Sequence, residues 1–165
     1  MSADGEEGNK PASDPPTLVI DASVAAKWLL RDEEGVDAAG ALQDEHTTGR
    51  LALAAPRQIE VEVTAAIRRA VLTGRVDAAE GRRLVVQWLD ELCPSLRLAA
   101  NARALAGAFA FSLRYGVTLF DALYLTVAEQ ASSNLVVADE RLLRSPAGAL
   151  PFAWSLERWS AELKS

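Results

Sequence analysis

The sequence has few of the residues that build disulfides, zinc sites and catalytic triads. It contains one cysteine, Cys93, and one histidine, His46, among 165 residues. A single cysteine excludes an internal disulfide and a zinc site made of several thiolates. A single histidine excludes a site made of several imidazoles, and any Ser-His-Asp or Cys-His triad would have to use His46, which lies in a polar stretch. These two side chains are therefore poor candidates for catalytic chemistry.

Long apolar runs and aromatic residues are also scarce. No run approaches the roughly 20 residues of a membrane span, and the N-terminus lacks the basic and apolar regions of a secretory signal. Aromatic residues make up only 6% of the chain, so the core has to be built mainly from Ala, Leu and Val. Together with the lone cysteine, these absences favour a cytoplasmic protein without a membrane partner.

The charge of the chain is acidic, with a formal net charge of −6. Residues 1–16 are rich in Gly, Pro, Ser and acidic residues, and we predict a disordered acidic leader there. A single domain is predicted over residues 17–165. An acidic chain is a poor candidate for binding nucleic acid through a broad basic face, but it is compatible with an enzyme that holds nucleic acid through metal ions.

The hydrophobic pattern alternates between strands and helices, which predicts an α/β fold with a central parallel sheet flanked by helices on both sides. Short β-prone runs lie at residues 17–20, 51–54, 96–98 and 135–138, and the tail is expected to add an edge strand and a short helix. In the last long helix, an apolar stripe runs from Phe120 to Ala131. Helices are predicted directly after Asp21, over 37–43, from Pro56 to Leu72, over 77–92, over 101–115 and from Thr118 onward.

Two of the predicted strands end in an aspartate, Asp21 and Asp139. In open α/β sheets, ligands bind beyond the carboxyl ends of the strands. The two carboxylates would converge on one point if their strands were neighbours. Each aspartate also suits the N-cap of the helix that follows it, so the pattern leaves a structural alternative open for each.

Further acidic residues stand in the first turns of two predicted helices. Asp121 follows Thr118 by three residues, and Glu60 and Glu62 follow Pro56. Helical periodicity places both glutamates beside the apolar stripe and does not choose between them. Acidic side chains in a first turn also complement the helix dipole, which is the structural alternative for all of them.

A group of carboxylates without histidine or a cysteine cluster suits hard divalent cations. Oxygen ligands bind Mg²⁺ or Mn²⁺, and these ions orient a water molecule and neutralise charge on a phosphate. Without a metal, such carboxylates would repel one another and an anionic substrate alike. The composition therefore favours metal-assisted phosphate chemistry.

Four segments resemble, in order, those of PIN-domain proteins, and most closely the VapC-type ribonuclease toxins of toxin–antitoxin pairs. They are residues 19–24, Pro56 with residues 62–63, residues 118–124 and residues 136–142. The sequences Phe-Asp-Ala-Leu-Tyr and Ala-Asp-Glu-Arg-Leu in the last two segments are the most specific. The resemblance covers nearly all of the chain after the leader.

The resemblance implies a PIN-like fold and a Mg²⁺- or Mn²⁺-dependent endoribonuclease. It implies that Asp21 and Asp121 are the principal metal ligands, that Asp139 completes the pocket directly or through water, and that Glu62 is the fourth acid. Ser23 stands where such proteins carry a small hydroxyl or amide residue, which would bond a pocket carboxylate or a metal-bound water. The alternative for Ser23 is the N-cap of the next helix.

The resemblance also implies partners, namely an RNA substrate, a protein antitoxin of VapB type and a second copy of the chain. Trp28 and Leu29 are candidates for an antitoxin groove, with ordinary core packing as the alternative. The basic residues that are candidates for RNA contact have a solvated helical face as their alternative. They are Arg57, Arg68, Arg69, Arg75, Arg82 and Arg83. Lys27 is expected near the pocket, one helical turn beyond Ser23.

The chain departs from the family pattern at Ala65, where many relatives carry Asn, and at Val137, where many carry Thr. Each departure removes a polar group near the pocket, which bears on rate or metal affinity. The alternative function is therefore an inactive PIN-like module that binds metal or protein. A phosphotransferase of haloacid-dehalogenase type would need a second Asp two residues after Asp21, where the chain has Ser23.

Overall fold

The computed structural model describes residues 14–31, 34–139, 141–145, 150 and 152–163. Residues 1–13 of the predicted leader and Glu140 of the family motif lie outside this part of the chain. The division into a leader and a single domain therefore stays a prediction.

A five-stranded parallel sheet forms the centre of the fold, in the order β3-β2-β1-β4-β5. This confirms the predicted α/β class with a parallel sheet. Strand β1 is central. Strands β2 and β3 follow it on one side, and β4 and β5 follow it on the other. The strands are β1 (Thr17–Ile20), β2 (Ala52–Pro56), β3 (Arg97–Ala99), β4 (Leu135–Val137) and β5 (Ala153–Ser155).

Helices connect these strands and cover the sheet. Helix α6 packs on β1, β2 and β4 and against α5, while α3 packs against α1 and α4. A π-helical turn (Trp88–Leu92) and 3₁₀ turns at Cys93–Ser95 and Leu142–Arg144 complete the connections. The helices are α1 (Ala22–Ala26), α2 (Val36–Thr47), α3 (Ile59–Leu72), α4 (Ala78–Gln87), α5 (Asn101–Tyr115), α6 (Leu119–Gln130) and α7 (Leu156–Leu163).

The core is aliphatic, as the scarcity of aromatic residues predicts. Every residue of β2 and of β4 is buried, as expected of strands covered on both faces. Trp88 is the largest fully buried side chain, and Ala, Leu, Ile and Val account for most of the others. Trp28 and Leu29 belong to this core, because both are buried and the Trp28 indole N–H donates to the Ala39 carbonyl at 2.9 Å.

Several predicted helix ends are confirmed by their capping contacts. The Asp77 carboxylate accepts hydrogen bonds from the N–H groups of Ala79 and Glu80 at the start of α4. The Thr118 hydroxyl accepts from the Asp121 N–H at the start of α6. Gly116 ends α5 in the left-handed conformation, with φ of 65°, which glycine adopts without steric cost.

Two predicted features are wrong. Pro56 does not begin a helix, because parallel pairing with Ala99 extends β2 through it, and α3 begins at Ile59. The helix predicted over 77–92 is confirmed in extent, although its last turn, from Trp88, is π-helical. Phe120 is not part of the buried stripe but is 63% exposed, because the buried part of α6 begins only at Ala122.

Candidate active site

The carboxyl ends of β1 and β4 bring Asp21 and Asp139 to one cavity of about 490 Å³. The two strands pair in parallel, with Ile20 opposite Val136. The segments that follow them therefore leave the sheet side by side at one edge. The strand order reverses between β1 and β4. Such a reversal opens a crevice at the carboxyl ends of the strands, where α/β proteins bind their ligands. From the sequence, convergence of Asp21 and Asp139 depends on their strands being neighbours, and β1 and β4 are neighbours.

Ser23 ties these two strand ends together through its hydroxyl group. The hydroxyl donates to Asp21 Oδ1 at 2.6 Å and accepts from the N–H groups of Ala138 at 2.9 Å and Asp139 at 3.1 Å. Ser23 lies inside α1, and Asp21 is the N-cap, accepting from the Val24 N–H at 3.2 Å. The N-cap alternative for Ser23 is therefore wrong, and Asp21 both caps α1 and lines the cavity.

Helices α3 and α6 contribute the other two predicted acids. Glu62 in the first turn of α3 and Asp121 in the first turn of α6 line the same cavity. Asp121 Oδ2 accepts from the Thr118 hydroxyl at 2.8 Å. Glu60 instead pairs with Arg57 at 3.1 Å and is not among the residues that line this cavity. The geometry thus distinguishes the two glutamates that periodicity left equivalent.

The carboxyl groups of the cavity accumulate negative charge that the protein offsets only partly. Desolvation raises the pKa of Asp21 to about 7, and the charges of Glu62 and Asp139 add to the rise, against the bonds from Ser23 and the Val24 N–H. Burial also raises the pKa of Glu62, with a further rise from Asp121. For Asp21 and Glu62, charge on a neighbouring acid therefore adds to the cost of ionisation, as expected of carboxylates that share a site.

Basic side chains stand at the same cavity. Lys27, Arg69 and Arg75 line it, as does Arg141, whose guanidinium lies 3.9 Å from Asp139 Oδ2. Of the other predicted RNA-contacting residues, Arg57 pairs with a glutamate of α3 and Arg83 with one of α4. Arg68 and Arg82 are not among the lining residues. The structure thus separates one subset of the predicted basic residues from the rest.

His46 is placed away from the cavity. Its Nδ1 lies 3.1 Å from the Leu51 carbonyl, and its Nε2 lies 3.1 Å from the Ser95 carbonyl. The imidazole therefore joins α2 to the turn before β3 and is not among the groups lining the acidic cavity. This placement agrees with the low rank that the sequence gives to a His-dependent triad.

Comparison with known proteins identifies the family. A family model described as "PIN domain" matches residues 18–147. This chain belongs to the PIN-domain family. It is 31% identical over 125 residues to "Ribonuclease VapC3" of Pyrobaculum aerophilum, covering 76% of this chain and 91% of that protein. It is 34% identical over 140 residues to "Ribonuclease VapC3" of Mycobacterium tuberculosis, covering 82% of this chain and 91% of that protein.

Solved structures share this PIN-domain fold. The chain superposes on a Pyrobaculum aerophilum protein, PAE2754, with a TM-score of 0.62 and 24% identity, covering 91% of this chain and 97% of that one. It superposes on a chain of a toxin–antitoxin complex from Klebsiella pneumoniae with a TM-score of 0.55 and 14% identity, covering 84% and 97%. At these identities the likeness extends to the fold alone.

The two departures from the PIN-domain pattern occupy different places. Ala65 lines the cavity, so an apolar methyl group stands in the wall at this position. Val137 is buried in β4 and is not among the lining residues. Of the two, Ala65 is the position that bears directly on what the cavity binds.

The chemistry of this PIN-domain cavity fits a hydrated divalent cation. Its oxygen donors are those that Mg²⁺ and Mn²⁺ prefer. Burial is the main cause of the raised pKa of Asp21 and of Glu62, and a cation would offset the neighbouring negative charge that adds to it. Within the part of the chain that the structure describes, no three His, Cys, Asp or Glu side chains stand close enough to hold an ion directly. Mg²⁺ usually keeps several waters and takes only one or two carboxylates, and this donor set suits that mode.

Sequence reasoning missed Tyr124 as a polar residue of this site. Its hydroxyl donates to Glu62 Oε2 at 2.5 Å, and the side chain lines the cavity. The apolar periodicity of α6 assigned Tyr124 to the core, where it is indeed only 3% exposed. A buried tyrosine hydroxyl nevertheless requires a hydrogen-bond partner, and that requirement is the signal that could have found it.

Proposed function

We propose that this PIN-domain protein is a metal-dependent endoribonuclease and the toxin of a VapBC-type toxin–antitoxin pair. The observation that carries the proposal is the convergence of Asp21, Glu62, Asp121 and Asp139 on one cavity. The names of its relatives, which are ribonucleases of the VapC type, support it. A cytoplasmic location is part of the same proposal.

In this proposal, Asp21 and Asp121 are the principal ligands of Mg²⁺ or Mn²⁺, and Asp139 would complete the site through a water molecule, as the separation of the acids requires. The ion, when bound, lowers the pKa of a water and neutralises charge on the scissile phosphate. Ser23 keeps Asp21 in place through Oδ1. Glu62 takes the proton of the attacking water, because burial raises its pKa and so makes its carboxylate a stronger base than an exposed one.

The reaction breaks one phosphodiester bond of RNA by attack of water on phosphorus. The bond from phosphorus to the 3′ oxygen breaks, and the leaving oxygen takes up a proton. Because water attacks rather than the neighbouring 2′-hydroxyl, the products carry a 5′-phosphate and a 3′-hydroxyl. This outcome distinguishes the proposed chemistry from that of nucleases that form a cyclic phosphate.

The basic residues at the cavity support an RNA substrate. Lys27, Arg69 and Arg75 stand beside the acids, where they would contact phosphates flanking the scissile one. Phosphate contacts of this kind do not depend on base identity. They allow an acidic chain to bind RNA locally, although its overall charge opposes binding over a broad surface.

The proposal includes two protein partners, an antitoxin of VapB type and a second copy of the chain. The shared fold with a toxin–antitoxin complex supports the first. An exposed apolar stripe on α5, formed by Leu105, Phe109 and Leu113, supports the second. These residues recur at a spacing of four and so lie on one helix face, and exposed apolar patches of this kind mark interaction surfaces.

The alternative, an inactive PIN-like module that binds metal or protein, is favoured by one observation. The cavity wall at Ala65 is apolar where many relatives carry an amide. All four acids are nevertheless at the cavity, and loss of a polar wall residue affects rate or metal affinity rather than the type of reaction. Turnover distinguishes the two functions.

The deciding experiment is cleavage of a mixed RNA pool by antitoxin-free protein with Mg²⁺, with Mn²⁺ and with EDTA. We expect cleavage that requires metal and is lost in Asp121→Asn, which removes a charge from the cavity. Asp90→Asn is the matched control, because Asp90 is exposed and does not line the cavity. Ligation-based mapping of the products should find 5′-phosphate ends.

The outcomes separate the proposals. Metal-dependent cleavage by the wild type and by Asp90→Asn, but not by Asp121→Asn, supports the nuclease. Metal binding without cleavage supports the inactive module. Cleavage that persists in EDTA or in Asp121→Asn contradicts a metal-dependent reaction at this cavity.

A further inference from the structure

Two hydrogen bonds join the start of α3 to the start of α6. The Gln58 Nε2 amide donates to the Phe120 carbonyl at 2.8 Å, and the Tyr124 hydroxyl donates to Glu62 Oε2 at 2.5 Å. The two bonding positions on each chain segment are four residues apart, about one helical turn. The bonds therefore form a pair at successive turns of the two helices.

These bonds link helices that pack mainly against other parts of the fold. Helix α3 packs against α1 and α4, and α6 packs against α5 and the sheet. Both donor residues are buried, Gln58 at 8% exposed and Tyr124 at 3%. Burying such polar groups is costly unless they are hydrogen-bonded, and both donor groups are, whereas Gln58 Oε1 has no partner among the described residues. The pair is thus a defined hydrogen-bonded connection between two helices that pack mainly elsewhere.

The two bonds are made at or beside the functional carboxylates of α3 and α6. On α6, Asp121 lies between the two bonding residues Phe120 and Tyr124, and on α3 the second bond ends on Glu62 itself. The Tyr124 hydroxyl is bonded to Oε2. This bond holds the Glu62 carboxylate at the wall of the cavity, which Glu62 and Tyr124 both line.

We infer that Tyr124 is a positioning residue that, with Gln58, fixes the Glu62 carboxylate relative to Asp121 across the cavity. The inference rests on the proposed function and names two residues that this function does not itself require. Catalysis depends on such placement because a small displacement of a reacting group is costly in rate. Tyr124 acts through Glu62 and does not itself react.

The first test is Tyr124→Phe, which removes only the hydroxyl oxygen. We expect kcat for metal-dependent RNA cleavage to fall by about 10- to 100-fold, with KM nearly unchanged because the basic residues remain in place. Gln58→Leu should act in the same direction. Tyr115→Phe is the matched control, since it removes the same atom from a ring that stacks on Phe111 away from the acids, and it should retain wild-type kcat.

The decisive test is a double-mutant cycle with Glu62→Gln, measured as single-turnover cleavage of a labelled RNA drawn from the cleaved pool. If Tyr124 acts only through Glu62, adding Tyr124→Phe to Glu62→Gln should cost no further rate. Thermal unfolding of each variant verifies that it is folded at the assay temperature.

The outcomes keep this inference distinct from the proposed function. A wild-type rate in folded Tyr124→Phe, or a full additional loss in the double variant, overturns the positioning role while the nuclease stands. A fall confined to KM also overturns it. A wild type that cleaves no RNA with either metal overturns the proposed function, and this inference with it.

Discussion

At the residue scale, the most consequential group is the Asp21 carboxyl, which has two roles in conflict. As the N-cap of α1 it accepts hydrogen bonds that favour its ionised form, yet desolvation and two neighbouring acids raise its pKa to about 7. The hydroxyl of Ser23 reconciles these roles by holding Asp21 and the N–H groups at the end of β4 at once. A single small side chain thus links a helix cap, a strand end and the cavity.

The raised pKa of Asp21 predicts a pH-dependent cost to stability in metal-free protein. The pKa is about 3.9 in an unfolded chain and about 7 in the folded one, so the folded state holds the proton more tightly. Wild-type stability should fall as pH rises from about 4 to 7. Asp21→Asn should therefore be more stable than wild type at pH 8, by about 2–4 kcal/mol, and close to it at pH 4.

Denaturant unfolding in EDTA at several pH values measures this difference. Asn preserves the fold locally, because Oδ1 is the atom that accepts from both Ser23 and the Val24 N–H. Asp77→Asn is the control, since backbone N–H groups lower the pKa of Asp77 and its replacement should not stabilise the protein at pH 8. Parallel pH profiles for wild type and Asp21→Asn would contradict the prediction.

At the scale of elements, helix packing depends on small residues at close approaches. Helices α5 and α6 meet at Gly107, where an added Cβ would lie 2.7 Å from Thr126 Cγ2. Thr126 is only 1% exposed and its hydroxyl bonds the Ala122 carbonyl, so it has little freedom to move away. Since α6 carries Asp121, this contact also bears on the position of a cavity acid.

Replacing Gly107 with alanine should reduce stability, although alanine is the better helix former. The clash with Thr126 is expected to cost about 1–3 kcal/mol, which exceeds the gain in helix propensity. Gly40→Ala in α2 is the matched control, because nothing lies within 4 Å of the added Cβ, and it should gain about 0.5–1 kcal/mol. Denaturant unfolding of both variants measures whether each substitution lowers or raises the free energy of unfolding. Stabilisation by Gly107→Ala would show that the contact at Thr126 relaxes freely.

At the scale of the whole molecule, the fold conceals some surfaces and leaves others open. The described helices include none long and apolar enough to cross a membrane. The apolar stripe of α5 is nevertheless exposed, with Phe109 at 62% and Leu113 at 71%. A patch of this kind is costly to leave in water, and a second copy of the chain is the partner that we propose for it.

The stripe predicts how the oligomeric state responds to charge. Phe109→Glu places a charge in the stripe and should shift a wild-type dimer toward monomer. Val86→Glu is the matched control, because Val86 is 57% exposed on α4, outside the stripe, and should leave the dimer intact. Light scattering coupled to size exclusion measures both masses. A dimer that survives Phe109→Glu, or a monomeric wild type, contradicts the role of this stripe.

The sequence by itself determined the order of elements and the identity of the acids. Apolar runs predicted the bounds of β1 and β4 to within one residue. Turn and cap residues such as Asp77 and Gly116 marked helix ends. These signals are local, since each depends on a few neighbouring residues. The resemblance to PIN-domain proteins, carried by the segments around Asp121 and Asp139, also required only the sequence.

Only the tertiary structure decided which polar groups meet. The bond from Tyr124 to Glu62 joins residues 62 positions apart, and those from Ser23 reach residues at the end of β4. Pro56 became the end of a strand because pairing with β3 outweighed its local preference for a helix start. Periodicity left Glu60 and Glu62 equivalent, and the packing of α3 placed Glu62 at the cavity. Contacts between distant segments depend on how elements pack, and no local pattern records them.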